Sequence, residues 1–158
     1  DFGPLISQDQ RNRVMKYIKQ GISEGATLVC GGNEINEKGF FIEPTIFTDV
    51  TGDMTIAKEE IFGPVLCIEK FSNESLEMIA KRTNETTYGL SGSVWTNDMT
   101  TGHKMAALID SGQVSINCHA AVDSAIPFGG NKQSGWGREF GEEGLDSYLK
   151  TKSTTVMY

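Results

Sequence analysis

VLCIEKFSNESLEMIAKRTNETTYGLSGSVWTNDMTTGHKMAALIDSGQVSIN, residues 65–117, is the stretch on which the fold turns. Val65-Leu66-Cys67-Ile68 is an apolar run of strand length. Leu76, Ile79, Ala80 and Thr83 then fall at i, i+3, i+4 and i+7, one face of a helix. Ser93-Val94-Trp95-Thr96 predicts the next strand. Asn97 or Asp98 caps a further helix with Met105, Leu108 and Ile109 on one face. Asp110-Ser111-Gly112 closes that helix, and Val114-Ser115-Ile116-Asn117 predicts another strand. Strands separated by helices need crossover connections, so the expected class is α/β with a mostly parallel sheet. Ligands of such sheets gather beyond the carboxyl ends of strands, where Asn117-Cys118-His119 falls.

Toward the amino end, Ser7 with Gln10 makes a capping box for a helix running to about Ser23. Val14, Ile18 and Ile22, with Met15 beside them, give it an apolar face, and Gly25 is its stop. Thr27-Leu28-Val29-Cys30 predicts a short strand. Gly31 and Gly32 turn the chain, and Phe40-Phe41-Ile42 continues as a second strand after an Asn/Glu/Lys loop. Toward the carboxyl end, Gly141 to Leu149 predicts a short helix, and Lys152 to Met157, rich in β-branched residues, a terminal strand.

Two runs stand outside this pattern. Lys58-Glu59-Glu60-Ile61-Phe62-Gly63-Pro64 leads a carboxylate pair into an aromatic, a glycine and a proline. Glycine lets the backbone approach a neighbour closely, and proline fixes the direction after it. An acid held there can accept hydrogen bonds from a sugar diol, with a phenyl ring alongside for a flat heterocycle. The plain alternative is a solvated acidic pair ahead of a turn. The second run, Ile126-Pro127-Phe128-Gly129-Gly130 followed by Lys132-Gln133-Ser134-Gly135-Trp136-Gly137-Arg138-Glu139, is too rich in glycine for regular structure. Loops of that kind carry function or pack by close backbone approach.

Composition narrows the classes. The chain of 158 residues suits one compact domain with a core of its own. A net charge of −7 argues against a nucleic-acid partner. No apolar run is long enough to span a bilayer. Asp1-Phe2-Gly3-Pro4 opens without a methionine or a secretory leader and reads as a piece cut from a longer protein. Cys30, Cys67 and Cys118, odd in number and widely spaced, suit reduced thiols in a cytosolic setting and show no zinc spacing. Cys30 and Cys67 sit in apolar strand patterns, as small buried hydrophobes do. Cys118 lies beside His119, but adjacent side chains of an extended chain point to opposite faces and do not pair readily.

The Pro-Phe-Gly-Gly-x-Lys-x-Ser-Gly-x-Gly-Arg-Glu pattern and the Lys58–Pro64 run both resemble signatures of the NAD(P)-dependent aldehyde dehydrogenases. Gly3-Pro4-Leu5-Ile6-Ser7, Glu24-Gly25-Ala26 with Gly31-Gly32, and Pro44-Thr45-Ile46-Phe47 resemble the same family in the right order. The resemblance therefore covers essentially the whole chain. It implies a catalytic-domain portion over residues 1–139, then a helix and an oligomerisation strand over 140–158. It implies that Glu60 binds the nicotinamide ribose of NAD or NADP and that Phe62 packs at the nicotinamide. Phe128, with Val122 and Ala120, would line the site of a small-molecule aldehyde. The plain roles remain open beside these: a surface carboxylate for Glu60, core aromatics for Phe62 and Phe128.

By the same resemblance Glu139 belongs to a charge-relay pair with a lysine upstream, or else simply pairs with Arg138. The backbone of Lys132 and Gly135 resembles a monovalent-cation site of some betaine aldehyde dehydrogenases. The nucleophilic cysteine, the base glutamate and the Rossmann loop of the family lie upstream of this sequence. The chain alone is therefore expected to be inactive, though the family oxidises aldehydes to carboxylic acids through a cysteine thioester. The resemblance also implies a cytoplasmic homo-oligomer, dimer or tetramer, and leans toward phenylacetaldehyde-type members, with betaine-aldehyde and general aliphatic enzymes open. Two other classes stay open: a self-contained thiol hydrolase using Cys118 and His119, and a structural module whose last strand adds to a neighbour.

Overall fold

A computed structural model describes residues 2–35, 38–119 and 121–158. The chain divides into two compact units, Asp1–Thr86 and Thr87–Tyr158. In the first, α1 (Gln8–Ser23) begins where Ser7 accepts the N–H of Gln10 on its hydroxyl, at 3.2 Å. The reciprocal half of the capping box is not made, because the Gln10 side chain turns to the carbonyls of Ile61 and Phe62 instead. Val14 and Ile18 are buried, whereas Ile22 stands 49% exposed. Buried Gly21 takes the inner place, close to Ile56 and Phe47. Gly25, at φ +100°, ends the helix in a conformation glycine reaches at little cost.

Beyond it lie β1 (Thr27–Cys30), β2 (Glu34–Ile35), β3 (Phe41–Ile42), β4 (Thr45–Thr48), α2 (Thr55–Lys58), β5 (Val65–Cys67) and α3 (Leu76–Thr83). β4 is the centre of a sheet ordered β1-β4-β5, antiparallel to β1 and parallel to β5. Thr45 and Phe47 are buried, and Ile46 and Thr48 alternate with them. Thr45 is satisfied there: its hydroxyl donates to the Glu43 carbonyl at 2.8 Å and accepts from Gly32 N–H at 3.0 Å. Phe41–Ile42 is a strand as expected, but Glu34–Ile35, read as loop, pairs with it as a hairpin. Val14, Ile18, Ile42, Phe47, Met54, Ile56 and Ile61 belong to the one core cluster of this unit. Cys30, expected to be buried, is exposed, and Cys67 is half-buried.

In the second unit β6 (Ser91–Val94) and β7 (Gln113–Ile116) run parallel, joined through α4 (Met99–Leu108). Asp98 caps α4, accepting from the N–H groups of Thr100 and Thr101. β6 starts earlier than expected and releases Trp95 and Thr96. Asn117, at φ +55°, exchanges side-chain hydrogen bonds with the Thr96 backbone, both at 2.9 Å. Those bonds replace a further rung of the sheet and close its carboxyl end.

The class is α/β, with parallel pairing at β4/β5 and β6/β7 and antiparallel pairing at β1/β4 and β2/β3. At the carboxyl end the expected short helix is present as a 3₁₀ helix, Glu143–Tyr148, while the expected terminal strand is corrected. Lys152 to Met157 forms no strand within the chain and is exposed throughout. β-Branched residues favour extended backbone, but a strand also needs another backbone beside it. No helix among the described residues is long and apolar enough to cross a membrane.

Candidate functional site

The run from Glu59 to Gly63 follows directly on α2. The start of α2 is fixed by Glu24, whose carboxylate accepts the Thr55 hydroxyl at 2.6 Å and the Thr55 N–H at 2.8 Å. The Thr55 hydroxyl first, then the Gln20 side chain and the Thr55 N–H, hold the Glu24 carboxyl below its usual range. Ile61 then turns into the core while Glu60 and Phe62 face away from it. Phe62 sits at φ +56°, a left-handed conformation that is strained for an aromatic residue. Its ring is 71% exposed. Glu60 is half-buried, and its carboxylate meets no hydrogen-bond or ionic partner among the described residues. Its neighbour Glu59 is engaged, accepting the Tyr17 hydroxyl at 2.6 Å. Glu60 and Phe62 share an open depression of about 400 Å³ with Gly63, Val65 and Cys67. Burial pushes the Cys67 thiol up.

The glycine-rich run of the second unit is held differently. Phe128 and Glu139 form an antiparallel backbone bridge, N–H to carbonyl at 2.7 Å in both directions. The loop between them is tied by Arg138, whose guanidinium donates to the carbonyls of Gly137 and Gly130 at 2.7 and 3.0 Å and to Asn131 Oδ1 at 2.8 Å. Arg138 is therefore spent on the loop, and no ion pair joins it to Glu139 among the described residues. Glu139 is exposed. Lys132 opens a short 3₁₀ turn, Lys132–Ser134, at φ +53°, and its ammonium lies 3.5 Å from Asp110. Lys132 and Gly135 share a depression of about 480 Å³ with Trp136 and Arg138.

Phe128 is half-buried and Val122 is 52% exposed. Ala120 lies outside the described residues. His119 points its Nδ1 to Ser93 Oγ at 2.7 Å, and no hydrogen bond joins it to Cys118 among the described residues. No group of three His, Cys, Asp or Glu residues able to hold a metal ion occurs among the described residues. The structure thus brings Glu60 together with Phe62, and Phe128 together with Glu139.

Sequence reading does not single out Gln10, Arg13 or Tyr17 for the site. Their signal is present: Gln10, Arg13, Val14 and Tyr17 fall at i, i+3, i+4 and i+7, one helix face. Three polar side chains flank a buried valine, Gln10 and Tyr17 half-buried and Arg13 exposed, and from there they reach a neighbouring segment. Arg138 carries no such signal, because two of its three partners are backbone carbonyls of its own loop and the third is the Asn131 side chain beside them.

Known proteins converge on one family. A family model described as the aldehyde dehydrogenase family matches residues 1–154. The chain is 47% identical over 154 residues to aldehyde dehydrogenase 1A1 of Oryctolagus cuniculus, covering 98% of this chain and 31% of the relative. It is 44% identical over 158 residues to a cytosolic 10-formyltetrahydrofolate dehydrogenase of Xenopus tropicalis, covering 100% of this chain and 18% of that protein. Among solved structures, an NAD+ complex of an aldehyde dehydrogenase from Bacillus cereus superposes with a TM-score of 0.89 at 50% identity, over 95% of this chain and 30% of that one. A betaine aldehyde dehydrogenase from Staphylococcus aureus superposes with a TM-score of 0.90 at 38% identity, over 96% and 31%. The chain thus spans under a third of the length of these relatives. With its signature runs, its α/β fold and these likenesses in agreement, the chain belongs to the aldehyde dehydrogenase family.

Proposed function

We propose that this chain supplies the nicotinamide-riboside end and part of the aldehyde site of an NAD(P)-dependent aldehyde dehydrogenase. The observation that carries the reading is the pairing of a partnerless, half-buried Glu60 carboxylate with the exposed Phe62 ring at one depression, among the described residues. A carboxylate with its acceptor sites open fits a ribose diol, which brings two hydroxyl donors. An apolar ring face beside it fits a flat heterocycle. The chemistry a bound nicotinamide supplies is acceptance of hydride from the substrate carbon. The residues of this chain bind and orient: Glu60 takes the ribose hydroxyls and Phe62 limits where the ring can lie. Phe128, Val122 and Ala120 line the aldehyde side, and the small residues at Ala120 and Ala121 leave room for a sizeable tail, as in phenylacetaldehyde. Glu139, exposed and unpaired by Arg138, is available as the charge-relay carboxylate. The backbone of Lys132 and Gly135 is the candidate for a monovalent cation.

The thioester-forming cysteine, the base and the nucleotide loop belong, in this reading, to other parts of a longer cytoplasmic protein. The exposed residues 150–158, outside regular structure and rich in β-branched side chains, suit addition to a neighbouring subunit's sheet, which would make the whole a homo-oligomer. Glu60→Gln in the longest natural form of the protein is the test. It keeps size but weakens a charge-assisted pair of hydrogen bonds, so the KM for NAD or NADP rises about 10- to 100-fold. An unchanged KM for both dinucleotides overturns the role of Glu60. The 158-residue chain by itself forms no NADH from aldehyde; a rate abolished by Cys118→Ala would instead favour the Cys118 chemistry.

A further inference from the structure

Helix α1 reaches the Glu59–Gly63 run with polar side chains far away in sequence. Gln10 Nε2 donates to the Phe62 carbonyl at 2.9 Å and lies 3.4 Å from that of Ile61. Arg13 donates to the Glu60 carbonyl at 3.3 Å, and its guanidinium lies over the Tyr17 ring, 5.6 Å from the centroid. The Tyr17 hydroxyl donates to Glu59 Oε2 at 2.6 Å. Between them Val14 is fully buried, and a Cβ on Gly63 would lie 2.6 Å from its methyl carbon. One face of α1 therefore grips the run by its carbonyls, by its first acid and by its glycine.

The grip has a specific consequence. Phe62 is held at φ +56°, a conformation that costs an aromatic residue free energy and persists only where the surroundings over-determine it. Gln10, bonded to the carbonyl of that same residue, is one of the contacts that hold the peptide in that turn. Tyr17 does the complementary task on the acid pair: both Glu59 and Glu60 line the depression, and by engaging Glu59 Tyr17 leaves Glu60 as the carboxylate with no hydrogen-bond partner among the described residues.

We infer that Gln10 and Tyr17 are positioning residues for Glu60 and Phe62, so that α1 sets the geometry with which the chain meets a dinucleotide. The inference rests on the reading of Glu60 and Phe62 given above. It assigns α1 no contact with the ligand; the effect passes through the peptide of Phe62 and the carboxylate of Glu59.

The test compares Gln10→Ala, Tyr17→Phe and Glu59→Ala with Glu60→Gln in the longest natural form of the protein. NAD+ and NADP+ titrations, KM and kcat at saturating dinucleotide, and the thermal midpoint are read together. Gln10→Ala and Tyr17→Phe are expected to raise the dinucleotide KM about three- to tenfold, in line with one hydrogen bond each, with kcat at saturation nearly kept. Tyr17→Phe added to Glu59→Ala should give no further loss, since both remove the same bond. Gln10→Glu, which offers an acceptor to a carbonyl, should match Gln10→Ala, whereas Gln10→Asn should recover part of the loss. A lowered thermal midpoint with an unchanged KM makes the grip merely structural and overturns the inference. If Glu60→Gln weakens dinucleotide binding while the α1 variants do not, the inference fails and the reading of Glu60 stands. If Glu60→Gln has no effect, that reading fails first.

Discussion

The Glu59–Gly63 run and the Phe128–Glu139 loop are both glycine-bearing segments outside regular structure, yet they are held by opposite means. The first is short, lies on the core through Ile61, and is gripped by a helix that precedes it by some fifty residues in sequence. The second has almost no apolar backing: of the buried hydrophobic residues described, only Met105 belongs to its unit. It is instead closed on itself, by the Phe128–Glu139 bridge, by Arg138 on two carbonyls, and by Gly89, which takes hydrogen bonds from Gly112 and Asn131. A segment backed by side chains can give way when a neighbour grows. One built from backbone against backbone cannot.

That difference is sharpest at two glycines. A Cβ on Gly112 would run into the Gly129 carbonyl, backbone that cannot move aside. Gly112→Ala should therefore reach or pass the roughly 3 kcal/mol upper end of usual overpacking costs, and fast exchange of the Phe128 and Glu139 amides should accompany it. A Cβ on Gly63 would meet only the Val14 side chain, at 2.6 Å. Gly63→Ala should cost less, about 1–2 kcal/mol, and Val14→Ala in the same chain should recover part of it. Chemical denaturation of the parent and these variants checks the order. Equal costs, or no rescue by Val14→Ala, would break the contrast.

What is legible in the sequence follows the same division. Helices announce themselves through local signals, caps at Ser7 and Asp98 and apolar residues three or four apart, because those interactions close within a turn. β4 does not show apolar/polar alternation because Ile46 and Phe47 are adjacent and the other buried position is Thr45, a polar residue that is satisfied inside by Gly32 and Glu43. Glu34–Ile35 is too short for any period to show. The candidate residues Glu60, Phe62, Phe128 and Glu139 stand out by the spacing of their motifs. Their supports do not, since Gln10 to Phe62 is a contact between distant segments and Arg138 bonds mainly to backbone carbonyls, atoms every residue carries.

Arg138 offers a middle-sized effect. Arg138→Gln keeps an amide donor but loses the planar fork that reaches Gly137, Gly130 and Asn131 at once. The expected cost is about 1–2 kcal/mol, appearing as loosened exchange at Phe128 and Glu139 with the amides of β4 and β5 unaffected. Loss of protection throughout the first unit as well would mean that the loop is not self-contained.

The smallest effect concerns how each unit anchors a helix start with a carboxylate. Asp98 caps α4 through the Thr101 hydroxyl and the N–H groups of Thr101 and Thr100, and these bonds, the hydroxyl's first, lower its pKa from 3.8. Glu24 does the same for α2 from a distant position, its pKa lowered from 4.5. A carboxyl whose folded pKa is depressed stabilises the fold above its unfolded value and loses that contribution as pH falls through the folded value. Asp98→Asn and Glu24→Gln should therefore lower the thermal midpoint slightly at pH 7, and each gap to the parent should narrow as pH drops below the unfolded values of 3.8 and 4.5. Asn is itself a good cap, whereas the amide introduced by Glu24→Gln would offer one acceptor to two Thr55 donors, so the Glu24 gap should be the larger at pH 7. A gap that stays constant down to acid pH would assign the loss to packing rather than to the carboxylate charge.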